Sequence, residues 1–151
     1  MKRRLVVEAD GGSRGNPGPA GYGAVVRDAA TGEVLAEVSD SLGRATNNVA
    51  EYSGLIAGLG AAAAIAPGAD VDVRMDSKLV VEQMSGRWQI KHPAMRPLAA
   101  KAREAAGAFG RVSYTWVPRS RNAYADRLAN QAMDAAARAV VGKGGAAGGA
   151  R

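Results

Sequence analysis

The chain has 151 residues, enough for one domain with a hydrophobic core of its own. It holds no cysteine and a single histidine. That excludes disulfides and thiolate metal sites and leaves hard, oxygen-ligated ions such as Mg2+ or Mn2+ open. Lys and Arg number 20 against 14 acids, a net charge of +6. The excess favours a polyanionic partner, nucleic acid above all, although a GC-rich genome's bias towards Arg and Ala is the plainer explanation. No run is long and apolar enough to span a bilayer, and MKRRLVVEAD lacks the apolar core of a signal peptide. The expectation is a cytoplasmic, monomeric protein with no membrane partner.

In chain order, Arg4–Asp10 reads as a strand followed by a glycine turn. Gly21–Asp28 and Val34–Ser41 continue an antiparallel meander, joined at Thr31–Gly32. Asn48 opens a helix whose Val49, Tyr52, Ile56, Leu59 and Ala63 recur at spacings of three and four, and Pro67–Gly68 stops it. Val71, Val73 and Met75 alternate with polar residues as a fourth strand. Ser77–Met84 is a short helix, and Pro93 to Ala108 carries another. Val112–Val117 is a fifth strand, and Asn122–Val140 a last helix. Later strands separated by helices require parallel crossovers. The fold class is therefore α/β, a five-stranded mixed sheet with an antiparallel edge, flanked by helices. Residues 1–140 form the domain; the Gly/Ala-rich stretch 141–151 reads as a flexible tail or linker.

Four acids stand at element ends: Asp10 and Asp76 after apolar strands, Glu51 and Asp126 in the first turns of helices. Each has an ordinary explanation. Asp10 is a turn former before Gly11-Gly12, Glu51 closes a capping box begun by Asn48, Asp76 caps the next helix, and Asp126 complements a helix dipole. All four can also meet at the carboxyl edge of an open α/β sheet, where such folds bind ligands. Gathered there, they would repel and raise one another's pKa values unless cations neutralise them.

The series strand–Asp10–GGSRGNPGPAGYG, TNNVAEY, MDSKLVVEQ and WVPRSRNAYADRLAN resembles ribonuclease H of type 1, from about Arg4 to Arg138. It is most similar to the short-loop form of archaea and actinobacteria, in which a phosphatase-like domain sometimes follows. The resemblance implies a ribonuclease H-like fold. It implies that Asp10, Glu51, Asp76 and Asp126 are catalytic and hold two Mg2+ ions, with Mn2+ as a substitute. Asp10 would bridge both ions, Asp126 would complete the site of the attacking water, and Glu51 and Asp76 would support the ion at the leaving 3′ oxygen. The implied reaction is hydrolysis of the RNA strand of an RNA–DNA hybrid, giving 5′-phosphate and 3′-hydroxyl ends.

In this family the minor groove is read, where 2′-hydroxyls identify RNA. The resemblance points to the backbone at Gly11, Gly12 and Ser13, and to the amides of Asn16, Asn47, Asn48 and Gln83, as readers. Thr46 and Asn48 would grip a DNA phosphate. Arg87, Trp88 and Lys91, with Arg96, form a basic corner suited to the DNA strand. Trp88 has a second reading as a core residue. The chain departs from many relatives in lacking a histidine in PRSRNAYA, since His92 lies elsewhere; Arg119 or Arg121 of that segment would help to handle phosphate instead. Rivals are another nuclease or resolvase of this fold, and a hybrid-binding module without catalysis. Four coincidental caps are the remote alternative. GNPG and TNN speak against the first, and the full set of acids against the second.

Overall fold

The structure is a computed structural model that describes the backbone of residues 2–149 and side chains up to residue 139. Five strands form one sheet: β1 (Arg4–Ser13), β2 (Gly18–Asp28), β3 (Val34–Ala45), β4 (Asp70–Met75) and β5 (Arg111–Trp116). Their order is β3-β2-β1-β4-β5. β1 pairs antiparallel with β2, and β2 with β3, while β1–β4 and β4–β5 are parallel. The helices are α1 (Asn47–Ile65), α2 (Lys78–Met84), α3 (Arg96–Ala106) and α4 (Ala123–Gly149), with one-turn 3-10 segments at Pro93–Met95 and Arg119–Arg121. The expected mixed sheet is the observed one.

The two sheet faces are covered by different helices. A Cβ added at Gly11 would strike the Ala50 carbonyl of α1, whereas one at Gly12 would meet Met133 of α4. Successive strand residues point to opposite faces, so α1 lies on one side and α4 on the other. The main core fills the α1 side. Leu5, Val7 and Ala9 of β1, with Val71 and Val73 of β4, pack on Tyr52, Leu55 and Leu59 of α1 and Ala99 and Ala102 of α3.

Element ends differ from the sequence reading for identifiable reasons. β1 does not stop at Asp10, because Gly11–Ser13 continue the ladder against Tyr22–Ala20, and β2 accordingly begins at Gly18. The glycines that look like a turn are there for close helix packing. The chain reverses at residues 14–17, where Arg14 N–H donates to Pro19 O at 2.8 Å. β3 runs on to Ala45. Thr46, not Asn48, caps α1, its hydroxyl accepting from Val49 N–H at 3.3 Å. The backbone of α4 stays helical to Gly149, inside the stretch 141–151 read as a tail. The last two residues of that stretch, and all its side chains, lie outside the described residues.

Candidate active site

The parallel pairing of β1 with β4 ends at Glu8 opposite Arg74, and past that point the strands part. Asp10 stands two residues beyond on β1, paired only with Gly23 of β2. Asp76 follows directly on the last residue of β4. Glu51 comes from the first turns of α1, which Gly11 and Gly54 bring hard against β1; a Cβ on Gly54 would sit 2.6 Å from Asp10 O. Asp126 lies in the first turn of α4. The ordinary explanations fall away for three of these acids. Asp10 is inside a strand, not a turn. Thr46 takes the cap of α1 and so removes the capping box at Glu51. Ser77 caps α2, its Oγ accepting from Val80 N–H at 3.3 Å, and so relieves Asp76. Asp126 still complements the α4 dipole.

The acids feel one another. Burial pushes the Asp10 carboxyl up to about 8, helped by the charge of Asp76 and by a hydrogen bond with Asp126, against the pull of the Gly11 N–H. Burial also pushes Glu51 up to about 7; Asp76 adds to the rise and a hydrogen bond from Ser77 opposes it. Partly buried carboxylates that cannot all ionise together are a cation site in waiting, and an all-oxygen donor set suits Mg2+ or Mn2+. Among the described residues, no group of three or more His, Asp or Glu side chains stands close enough together to hold an ion. The chemistry of the donors, their burial and their shared edge fit a divalent ion. A hollow of about 990 Å3 among Arg4, Asp70 and Arg111 is at the other end of the sheet, and none of the four acids lines it.

Beside the acids, the first loop and the start of α1 are tied together. Ser13 N–H donates to Asn47 Oδ1 at 2.8 Å, and Asn47 N–H to Asn16 Oδ1 at 3.1 Å. Both amide oxygens are thus occupied, which leaves the NH2 ends as the outward donors. Asn48 is exposed. Thr46 still has its hydroxyl proton to give, since its oxygen acts as the acceptor in the cap. Gln83 does not fit a reading role, which corrects the expectation. It is only 5% exposed; Oε1 accepts from Tyr52 Oη at 2.6 Å and Nε2 donates to Gln89 O at 3.3 Å. It lies three residues after buried Val80, so helical spacing alone would have placed it on the buried face.

The basic corner is open. Trp88 is 45% exposed, which overturns its core reading, and with Arg87, Gln89 and Lys91 it lines a shallow hollow. Arg87 is already paired, both of its bonds to Glu82 being 2.7 Å. Arg96 donates to Ile90 O. Arg119 Nη2 stands 3.5 Å from Asp126 Oδ1; Arg121 is exposed with no such contact. Two residues escaped the sequence reading. Trp116 is 49% exposed and donates from Nε1 to Asp76 O at 3.2 Å. Asn122 is fully buried, and its Nδ2 donates to Ala9 O and Asp76 Oδ1. Nothing in the sequence beyond a helix-start position marks Asn122, because its partners are 113 and 46 residues away.

Known proteins share this fold and sequence. The family described as "Reverse transcriptase-like" matches residues 8–132. The chain is 62% identical over 138 residues to the bifunctional protein Rv2228c of Mycobacterium tuberculosis, covering 91% of this chain but 38% of that protein's length. The solved N-terminal RNase H domain of Rv2228c superposes with a TM-score of 0.89 at 61% identity, covering 92% of this chain and 99% of that one. LC11-RNase H1, solved in complex with an RNA/DNA hybrid, matches with a TM-score of 0.82 at 40% identity over 87% of this chain and 98% of its own. Sheet order, the acid-bearing edge and this likeness along nearly the whole domain agree, and the chain belongs to the type 1 ribonuclease H family.

Proposed function

We propose that the protein hydrolyses the RNA strand of RNA–DNA hybrids, and that Asp10, Glu51, Asp76 and Asp126 carry the reaction. The observation behind this reading is the convergence of four acids from β1, α1, β4 and α4, with the Asp10 and Glu51 carboxyls raised by burial and by their acidic neighbours. Divalent ions held by these four would activate the attacking water and stabilise the leaving 3′ oxygen, as in two-metal phosphodiester hydrolysis. The products would then carry 5′ phosphates and 3′ hydroxyls.

The chain's own residues supply the rest. Asp10 sits on a strand fixed by β2 on one side, which fixes the position of the carboxylate that would hold the ions. The amide donors of Asn16 and Asn47, exposed Asn48 and the backbone at Gly11–Ser13 present hydrogen-bonding groups along one edge. Those groups suit the 2′-hydroxyls and base edges of a minor groove. Thr46 donates to a phosphate of the DNA strand. Lys91 and Trp88 offer that strand charge and an apolar face. Arg119, beside Asp126 in place of a loop histidine, handles phosphate as product leaves.

The chain spans less than two fifths of the Rv2228c relative's length, 38% of it. Residues 141–151 are read as a linker to a further domain, in keeping with the bifunctional character of that relative. The protein is read as a cytoplasmic monomer. The test is to incubate it with Mg2+ and hybrid labelled on either strand, with RNA duplex and DNA duplex alongside. Cutting of the RNA strand to 5′-phosphate fragments, abolished by EDTA, supports the proposal. Equal cutting of DNA duplex, or full activity in EDTA, defeats it.

A further inference from the structure

Asn122 occupies the position just before α4, and its backbone carbonyl accepts from Asp126 N–H at 3.0 Å. An asparagine there ordinarily turns its side-chain oxygen onto the N–H groups of the first helical turn. This one does not. Its Oδ1 is buried and has no hydrogen-bond partner among the described residues, while Nδ2 donates to Ala9 O at 2.9 Å and Asp76 Oδ1 at 3.0 Å. Both partners are pure acceptors, so the orientation of the amide is dictated by its surroundings. Leaving a buried carbonyl unpaired is costly, and such an orphan calls for a reason. The reason lies in what Nδ2 joins. Ala9 precedes Asp10 on β1. Asp76 is held directly, with one carboxylate oxygen pinned so that its plane cannot rotate freely. Asp126 is tied through the backbone one turn along α4. A single residue therefore links three of the four acid-bearing elements, across 113 and 46 residues of sequence.

We propose that Asn122 is a positioning residue, whose side-chain oxygen forgoes helix capping so that its NH2 can hold Asp76 and the end of β1 in the register that the acid cluster needs. The inference rests on the hydrolytic reading but has tests of its own. Asn122→Asp keeps the shape and replaces two donors by acceptors; Asn122→Ala removes the group. Each is expected to weaken Mn2+ binding, measured by calorimetry without nucleic acid, about 10–100-fold, as losing the partner of a metal-holding carboxylate does. On hybrid, kcat should fall about 100-fold with KM little changed. A plain helix cap would lower the thermal midpoint and leave the metal affinity and kcat of the folded protein at wild-type values; that result overturns the proposal.

If neither variant folds, the wild-type protein decides. The Asn122 side-chain NH2 resonances should move as Mg2+ is titrated in, and an Asn122 signal that does not respond to metal overturns the proposal. Wild-type protein that binds metal yet cuts no hybrid would refute the hydrolytic reading alone, with the metal and resonance tests still judging Asn122.

Discussion

Gln83 shows how one residue separates two accounts. Its amide is spent on Tyr52 and Gln89, and burial pushes the Tyr52 hydroxyl up to about 12, so this pair is a neutral buried hydrogen bond. Gln83→Ala should cost about 1–3 kcal/mol of stability by leaving the tyrosine unpaired. It should not change how cutting responds to 2′-deoxy substitutions in the RNA; denaturation curves and substituted hybrids check the two halves. Asp10 and Glu51 give a pH signature. In the fold their carboxyls stay protonated up to about 8 and about 7, while an unfolded chain releases those protons near about pH 4. The folded state binds more protons in that window. Their contribution to stability is therefore full below about pH 4 and is lost as pH rises towards 8. Metal-free protein should melt several degrees lower at pH 8 than at pH 5, and Asp10→Asn should flatten that slope. Added Mg2+ should restore stability at pH 8, where fewer protons compete for the carboxylates. Melting curves across pH, with and without Mg2+, measure all three. At this scale the four acids stand out in the sequence, because each ends or begins an apolar pattern within a recognisable motif. The sequence hid Asn122, whose partners are decided by tertiary packing, whereas the burial of Gln83 follows from its spacing from Val80 and only its partners are set by packing.

Between elements, the site depends on how closely helices approach the sheet. Gly11 and Gly54 let α1 lie on β1, and Gly21 and Gly23 do the same for α4 on β2; an added Cβ at Gly23 would stand 2.7 Å from Ala129 N. Along the sequence, Gly11-Gly12 looks like a turn, and only the paired helix reveals its use. This is why the strand boundaries were the least legible feature, whereas the order of strands and helices followed from periodicity. Gly11→Ala should cost at least about 1–3 kcal/mol through overpacking. It should also slow cleavage by moving Glu51 away from Asp10. Gly60 is exposed in the same helix, and a methyl group there would point into open space. Gly60→Ala should therefore stabilise by about 0.5–1 kcal/mol and leave the rate unchanged. Thermal melts and initial rates on the two variants distinguish packing from propensity.

Over the whole molecule, the charge of +6 predicts hybrid affinity that falls steeply with salt, through release of counterions from the phosphates. Neutralising Lys91 should reduce the slope of log affinity against log salt by about one for each phosphate it no longer neutralises. Neutralising Arg87 should do less, because Glu82 already holds its guanidinium. Affinity that stays flat from low to high salt would count against the basic corner. In the proposed reaction, four acids from four elements act as one hydrolytic centre. The most direct test is the rate of RNA-strand cleavage in a hybrid by wild type and by Asp10→Asn, Glu51→Gln, Asp76→Asn and Asp126→Asn, each checked to be folded. The expected result is a loss of at least about a thousandfold for Asp10→Asn and large losses for the other three, with thermal stability kept or raised as repulsion is relieved. Near wild-type cleavage by folded Asp10→Asn would contradict it.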